Sequence, residues 1–308
     1  MLPDVPMSDN FDIPLYDFLI KNALKLKQHE ELKNYCDQLG IIYLCTPFSW
    51  KAAQELNELG IEAFKIGSGE MTDIPTLERI SKFGKPMIVS TGMCTFEEID
   101  RTYNTLIKMN ARLALTNCIS EYPPVYEDVN LGVITKMIER YPKAVIGHSD
   151  HTPDLYTSFA AVVMGAKIIE KHVIISKQTP GPDQSVSIDF FDLHNLIDGI
   201  RKIEKALGSE KNIHTKEAKI REWAFRSIVS LRDIKKGEII DGDMIWSKRP
   251  GTGIPSYRRN ELIGKKAKNN ITDGTINKLG KALKKHNFIR LKKNGIAVYA
   301  LIENTWED

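Results

Sequence analysis

A chain of 308 residues, 42% of them hydrophobic and 27% charged, has ample material for a core; its length suits two ordinary domains or one large barrel. A net charge of +3 gives no general case for a nucleic-acid partner. Four scattered cysteines (Cys36, Cys45, Cys94, Cys118) without Cys-x-x-Cys spacing, no signal peptide and no apolar run long enough to span a bilayer point to a cytoplasmic protein with reduced thiols and no membrane association.

Short, β-branched apolar runs recur along the chain at 41–48, 63–69, 86–92, 112–120, 144–151 and 167–174. Their near-continuous apolar character suits parallel strands buried on both faces. Helix signals stand between them. Asp73 precedes an Ile-Pro pair and a helix that stops at Gly84. Thr95 and Glu98 form a capping box, each side chain satisfying an unpaired N–H at a helix start. Asp189 opens a long amphipathic helix closed by Gly208. Repeated βα units of this size predict a (β/α) barrel or a doubly wound sheet. After about residue 210 the pattern changes. A polar, linker-like stretch at 211–219 leads to strand-like runs at 227–231, 238–240 and 245–248, separated by Gly-containing turns. A small, loop-rich β domain is expected there. A tail follows, with a basic cluster from Lys278 to Lys293 that reads as a solvated face and a weakly alternating run at 295–302.

In barrels and open α/β sheets, functional groups gather beyond the carboxyl ends of the strands. Those ends carry Thr46, Lys65, Ser68, Glu70, Ser90, Ser120, Tyr122, Ser149, His151 and His172. Hydroxyls beside a lysine suit a phosphate, because O–H and ammonium donors meet its anionic oxygens directly. His151 and His172 lie 21 residues apart, about one strand-plus-helix unit, which puts both imidazoles on one rim. Pro180-Gly181-Pro182-Asp183 then holds a carboxylate near it. On spacing alone, a divalent-metal pair and two ordinary strand-end histidines are equal alternatives. The run of polar strand ends as a whole points to an enzyme acting on an anionic, phosphorylated substrate with a divalent metal.

These residues fall in longer motifs. Lys65-Ile66-Gly67-Ser68-Gly69-Glu70, Gly84-Lys85-Pro86, Ser90-Thr91-Gly92-Met93, Ser120-Glu121-Tyr122-Pro123, Gly147-His148-Ser149-Asp150-His151-Thr152, Glu170-Lys171-His172 and Pro180-Gly181-Pro182-Asp183 follow one another collinearly. Together they resemble the sialic acid synthase family, which includes N-acetylneuraminate and legionaminate synthases and spore-coat polysaccharide homologues. Lys235-Lys236-Gly237-Glu238 and Lys248-Arg249-Pro250-Gly251-Thr252-Gly253 resemble its antifreeze-like (SAF) domain. The resemblance covers about residues 15 to 280 and implies a TIM-type (β/α)8 barrel over 1–215, an SAF domain over 222–280 and a tail over 281–308.

It also implies a reaction, the condensation of phosphoenolpyruvate with an N-acylated mannose-type sugar to a nine-carbon 2-keto acid with release of phosphate. By position, Thr46, Lys65, Ser68, Ser120 and Ser149 would hold the phosphate, and His151 and His172 would bind Mn²⁺ or Mg²⁺. Glu70, Tyr122 and Asp183, together with Ser90, would contact the sugar and the tetrahedral intermediate. Arg249 would reach the partner's barrel in a domain-swapped homodimer, with Trp223 near the same acyl pocket. Two features depart from the family pattern. Asn117-Cys118-Ile119 stands where the family often has His-Cys-Thr. The family's opening Glu-x-Gly-x-Asn-His and Lys-x-Gln motifs do not occur in the chain, so the expectation is a barrel missing its first two strands, with little turnover. A non-catalytic remnant, either an oligomer subunit or a carbohydrate-binding protein, is the alternative; a metal-dependent isomerase or class II aldolase is a third reading.

Overall fold

The computed structural model describes residues 15–109 and 111–274. The chain divides into two units, Met1–Gly208 and Ser209–Asp308.

In the first unit, α1 (Leu15–Asn22), α2 (Leu26–Leu39) and α3 (Trp50–Glu58) precede a regular alternation of strands and helices. Strand β1 (Phe64–Ile66) is followed by α4 (Ile74–Ser81), β2 (Met87–Ser90) by α5 (Phe96–Lys108), and β3 (Leu113–Cys118) by α6 (Tyr126–Val129) and α7 (Gly132–Arg140). Then come β4 (Ala144–Asp150), α8 (Tyr156–Val163), β5 (Ile169–Lys171) and α9 (Phe190–Ala206). All strand pairings are parallel, in the order β1-β2-β3-β4-β5, and each crossover carries helix. The capping signals act as expected. Asp73 accepts from Thr76 N, Asp189 from Asp192 N, and Thr95 and Glu98 close their reciprocal box.

The sheet is strongly curved. Five flat strands would put the edge strands roughly 19 Å apart, at about 4.8 Å per step. Yet Lys65 on β1 and Glu170 on β5 form an ion pair of 3.2 Å across the concave face, too close for side chains to bridge from a flat sheet. The result is a half-barrel. The core lies on its convex side, where Phe64, Ile66, Met87, Val89 and Leu115 meet Leu77, Ile80, Leu106, Ile134 and Met137 from the covering helices. Central strand β3 is buried along its whole length.

Among the described residues the unit has five strands, one fewer than the sequence runs predict. The run at 41–48 is not a strand. It makes no ladder with β1, and Ile41 and Ile42 stay 59% and 57% exposed. Apolar, β-branched composition favours a strand only where a ladder partner and a face to bury are both available. Here α2, which leads into the run, buries none of its residues.

The second unit opens with α10 (Thr215–Ala224), so part of the stretch expected to be a polar linker is helical. Strands β6 (Ser227–Ser230) and β7 (Ile245–Lys248) pair antiparallel over a small core of Ile228, Ile234, Ile240, Ile245, Ile254, Leu262, Ala267 and Ile271. The run at 238–240 contributes only an isolated bridge, Ile239 with Lys266. The expected tail at 281–308, and the basic cluster from Lys278, lie outside the described residues. Among those described, no helix is long and apolar enough to cross a membrane.

Candidate active site

The carboxyl ends of β1–β5 open onto a cavity of about 520 Å³. Two-residue periodicity decides which side chains reach it. On β4 and just beyond, Ser149 and His151 line the cavity and Asp150 points the other way; on β5 and just beyond, Glu170 and His172 line it and Lys171 points away. The register matches these sets, pairing Ser149 with Glu170 and Asp150 with Lys171. The outward pair is a buried salt bridge of 3.1 Å, its side chains 3% and 0% exposed. Asp150 also accepts from Thr152 N and Oγ1, Thr157 Oγ1 and Ser158 Oγ. Lys171 donates in addition to the Thr152 carbonyl. The strand ends that carry the two histidines are thus tied together from behind.

One side of the cavity is a cluster of donors. Lys65 Nζ lies 2.8 Å from Ser90 Oγ, 3.2 Å from the Ile66 carbonyl and 3.2 Å from Glu170 Oε1. Ser90 in turn meets Thr116 Oγ1 at 3.0 Å, and Gly92 N donates to Ser68 Oγ at 3.0 Å. A Cβ on Gly92 would stand 2.7 Å from Ser68 Oγ and collide with Ser120 Oγ, so any larger residue there would push these hydroxyls out of place.

The other side is aromatic and acidic. The rings of His151 and His172 lie 5.2 Å apart, with Tyr122 against both. His151 Nδ1 is 2.6 Å from the Ile119 carbonyl, which can only accept, so that nitrogen carries the proton. Nε2 therefore bears the lone pair and accepts from the Tyr122 hydroxyl at 3.1 Å. Burial opposes charge on His151, but Cys118 and the Ile119 carbonyl more than offset it and raise its pKa. Burial pushes the Tyr122 phenol up to about 12, so it stays a donor. His172 Nδ1 faces Asp183 Oδ2 at 3.5 Å, and that hydrogen bond holds the Asp183 carboxyl below its usual range. Burial raises Glu70, whose Oε2 is buried without a partner; Glu170 Oε2 is in the same condition. Two imidazoles with oxygen donors nearby suit a hard divalent cation that takes its remaining ligands from water or substrate. Among the described residues, no group of three His, Cys, Asp or Glu is gathered closely enough to hold a metal by itself.

The cavity brings together Lys65, Ser68, Glu70 and Ser90 from the first two strand ends with Ser120, Tyr122, Ser149, His151, His172 and Asp183 from the others. Thr46 is not on its wall; its methyl lies beside Gly67, 3.7 Å from where a Cβ would stand. Trp223 and Arg249 belong to the second unit. Trp223 is exposed, and Arg249 Nε donates to the Ala224 carbonyl at 2.9 Å. The sequence reading missed Glu170 and Cys118. Both were within its reach, since Glu170 stands two residues before His172 and Cys118 two before Ser120, on the faces those residues share. The Cys118 thiol is raised by burial, yet its hydrogen bonds to His151, Ser68 and Ser149 bring its pKa below the usual value.

The chain matches the NeuB family over residues 6–212 and the SAF domain over 225–276. It is 39% identical over 260 residues to N,N'-diacetyllegionaminic acid synthase of Campylobacter jejuni, spanning 83% of this chain and 78% of that protein. It is 34% identical over 241 residues to N-acetylneuraminate-9-phosphate synthase of Homo sapiens, spanning 78% of this chain and 67% of that one. The crystal structure of an N-acetylneuraminic acid (sialic acid) synthetase from Leptospira borgpetersenii, bound to citrate, superposes with a TM-score of 0.61 at 30% identity, covering 64% of this chain and 69% of that chain. The donor-lined half-barrel cavity and these relationships agree: the chain belongs to the NeuB family, the sialic acid synthases, and carries an SAF domain.

Proposed function

We propose that the cavity is the active site of a nonulosonic acid synthase, which condenses phosphoenolpyruvate with an N-acylated mannose-type sugar, releases phosphate and forms a nine-carbon 2-keto acid. One observation carries the reading: a lysine-and-hydroxyl cluster and a histidine pair share the walls of one cavity. Lys65, Ser68, Ser120 and Ser149 bind the phosphate by charge-assisted hydrogen bonds, with Ser90 holding the Lys65 ammonium among them. Their fixed positions orient the enol carbon of phosphoenolpyruvate toward the sugar.

His151 and His172 would hold Mn²⁺ or Mg²⁺, the remaining ligands coming from water or the sugar. A cation held there would supply Lewis-acid polarisation of the sugar aldehyde. Tyr122 keeps its proton, so it donates to sugar oxygens once released from His151. Glu70 lines the same cavity, and burial raises its pKa; we assign it the exchange of a proton with the intermediate. Asp183 accepts from sugar hydroxyls and steadies His172. Arg249 and Trp223 contribute to the N-acyl pocket of a partner subunit in a domain-swapped dimer.

Calorimetric titration of phosphoenolpyruvate in the presence of Mn²⁺ tests the assignment. Binding is expected in the wild type and lost in Lys65→Met and in His151→Ala. Equal binding by all three proteins refutes it. Phosphate release on adding N-acetylmannosamine, or the corresponding diacetamido sugar, separates a synthase from a protein that uses the same cavity only to bind carbohydrate.

A further inference from the structure

Glu170 stands between the two halves of the cavity. It sits two residues before His172 on the same strand face, opposite Ser149 in the register. One carboxylate oxygen, Oε1, holds Lys65 Nζ at 3.2 Å; the other, Oε2, is buried without a hydrogen-bond partner. The three donors of the Lys65 ammonium are therefore fully engaged, by Ser90, by the Ile66 carbonyl and by Glu170.

This arrangement works against phosphate. A dianion approaching Lys65 meets a carboxylate already bound to the same ammonium, and like charges at that distance repel strongly in a half-buried site. A divalent cation at the histidine pair changes the balance, because it offers the carboxylate a second and more strongly charged partner.

We propose that Glu170 exchanges partners: it restrains Lys65 through their ion pair and releases it to phosphate when a divalent cation occupies His151 and His172, so that cation and phosphate bind cooperatively through this one carboxylate. The inference rests on the assignment of His151 and His172 as the cation site. It makes Glu170 a positioning residue, acting on phosphate through Lys65.

The test uses the whole chain with Mn²⁺ and inorganic phosphate as probes. Free Mn²⁺ is followed by its electron paramagnetic resonance signal and phosphate binding by calorimetry. In the wild type, saturating phosphate tightens Mn²⁺ by about fivefold or more, and Mn²⁺ tightens phosphate by the same factor, because coupling between two sites is reciprocal. Glu170→Gln removes the charge and keeps the shape. It is expected to bind phosphate more tightly than the wild type when Mn²⁺ is absent, and its coupling should fall to near unity. A misfolded protein does not gain affinity, and Glu170→Ala is expected to behave the same way. Undiminished coupling in Glu170→Gln overturns the exchange, since cation and phosphate would then be touching directly. Independent binding of the two in the wild type overturns it as well. A wild-type protein that binds no Mn²⁺ at millimolar concentration fails at an earlier point: it removes the metal assignment, and this inference with it, before any Glu170 variant is made.

Discussion

Replacing Lys171 with methionine should cost the first unit much of its stability, although Lys171 touches nothing in the cavity. The substitution keeps the length of the side chain and leaves Asp150, 0% exposed, without its counter-ion. Removing one partner of a buried pair costs about 3–5 kcal/mol. Asp150 keeps the amide of Thr152 and three hydroxyl donors, each a hydrogen bond to a charged group, so the lower end applies and about 3 kcal/mol is expected. In a unit of this size each kcal/mol moves the melting temperature by about 2–4 °C, which gives a loss of roughly 6–12 °C. Burial opposes ionisation of Asp150, but Lys171 and the hydroxyl and amide donors outweigh it, so its pKa is depressed in the folded state. Burial lowers the Lys171 pKa too, the mark of an ammonium taken out of water, so the pair braces the strands only because Asp150 is held so well. An unfolded aspartate titrates near ~3.9. The stability contributed by Asp150 is therefore complete above that pH and is lost as pH falls through the lower folded value. In Lys171→Met the depression shrinks, and acid unfolding should begin at a higher pH. Melting followed by far-ultraviolet circular dichroism from pH 3 to 7 measures both effects. Asp150→Asn and the double variant complete the cycle. A loss below about 1 kcal/mol, or strictly additive single effects, refutes the brace.

Two glycines give further tests. A Cβ on Gly147 would stand 2.7 Å from the backbone carbonyl oxygen of Ile168 and 2.8 Å from its Cβ, in the segment leading into β5. Gly147→Ala should therefore destabilise the first unit by about 1–3 kcal/mol, seen as a lower urea midpoint; a midpoint equal to that of the wild type contradicts the close approach. Gly92→Ala places a methyl among Ser68, Ser120 and Cys118 in the donor cluster, so phosphate affinity should drop about tenfold or more while the melting temperature changes little. Unchanged affinity by calorimetry would show that Gly92 does not shape the phosphate site.

Much of this site was legible because its signals are local. Asp73, Thr95 and Asp189 announce helices through bonds that span three residues, and all three caps form. The β-branched runs from 63 onward name the five parallel strands, and the polar residues at their ends are the ones that line the cavity. The run at 41–48 was misread because composition records the capacity to form a strand, whereas a strand also needs a neighbour, which no local pattern specifies. Within the stretch at 211–219, the part from 215 onward was misread for the opposite reason. A polar, charged sequence is compatible with a helix that buries no residue, as α10 does. Curvature was not legible at all. Nothing in the separate motifs brings Lys65 on β1 within an ion pair of Glu170 on β5; that contact exists only because four successive strand pairings bend the sheet.

This division explains why Glu170 escaped notice while its neighbour two residues on did not. A histidine at a strand end attracts attention by its chemistry alone, but an acidic residue in a strand reads as an ordinary polar position until its face is known. The same two-residue periodicity then gives β4 and β5 two separate tasks. Their outward residues, Asp150 and Lys171, form a bond that water does not reach. Their inward residues, Ser149, His151, Glu170 and His172, are left to exchange partners with ligands. Damage to the outward pair should appear first as lost stability and damage to Glu170 first as lost coupling, and the melting and Mn²⁺-binding measurements can be made on the same preparations to tell the two apart.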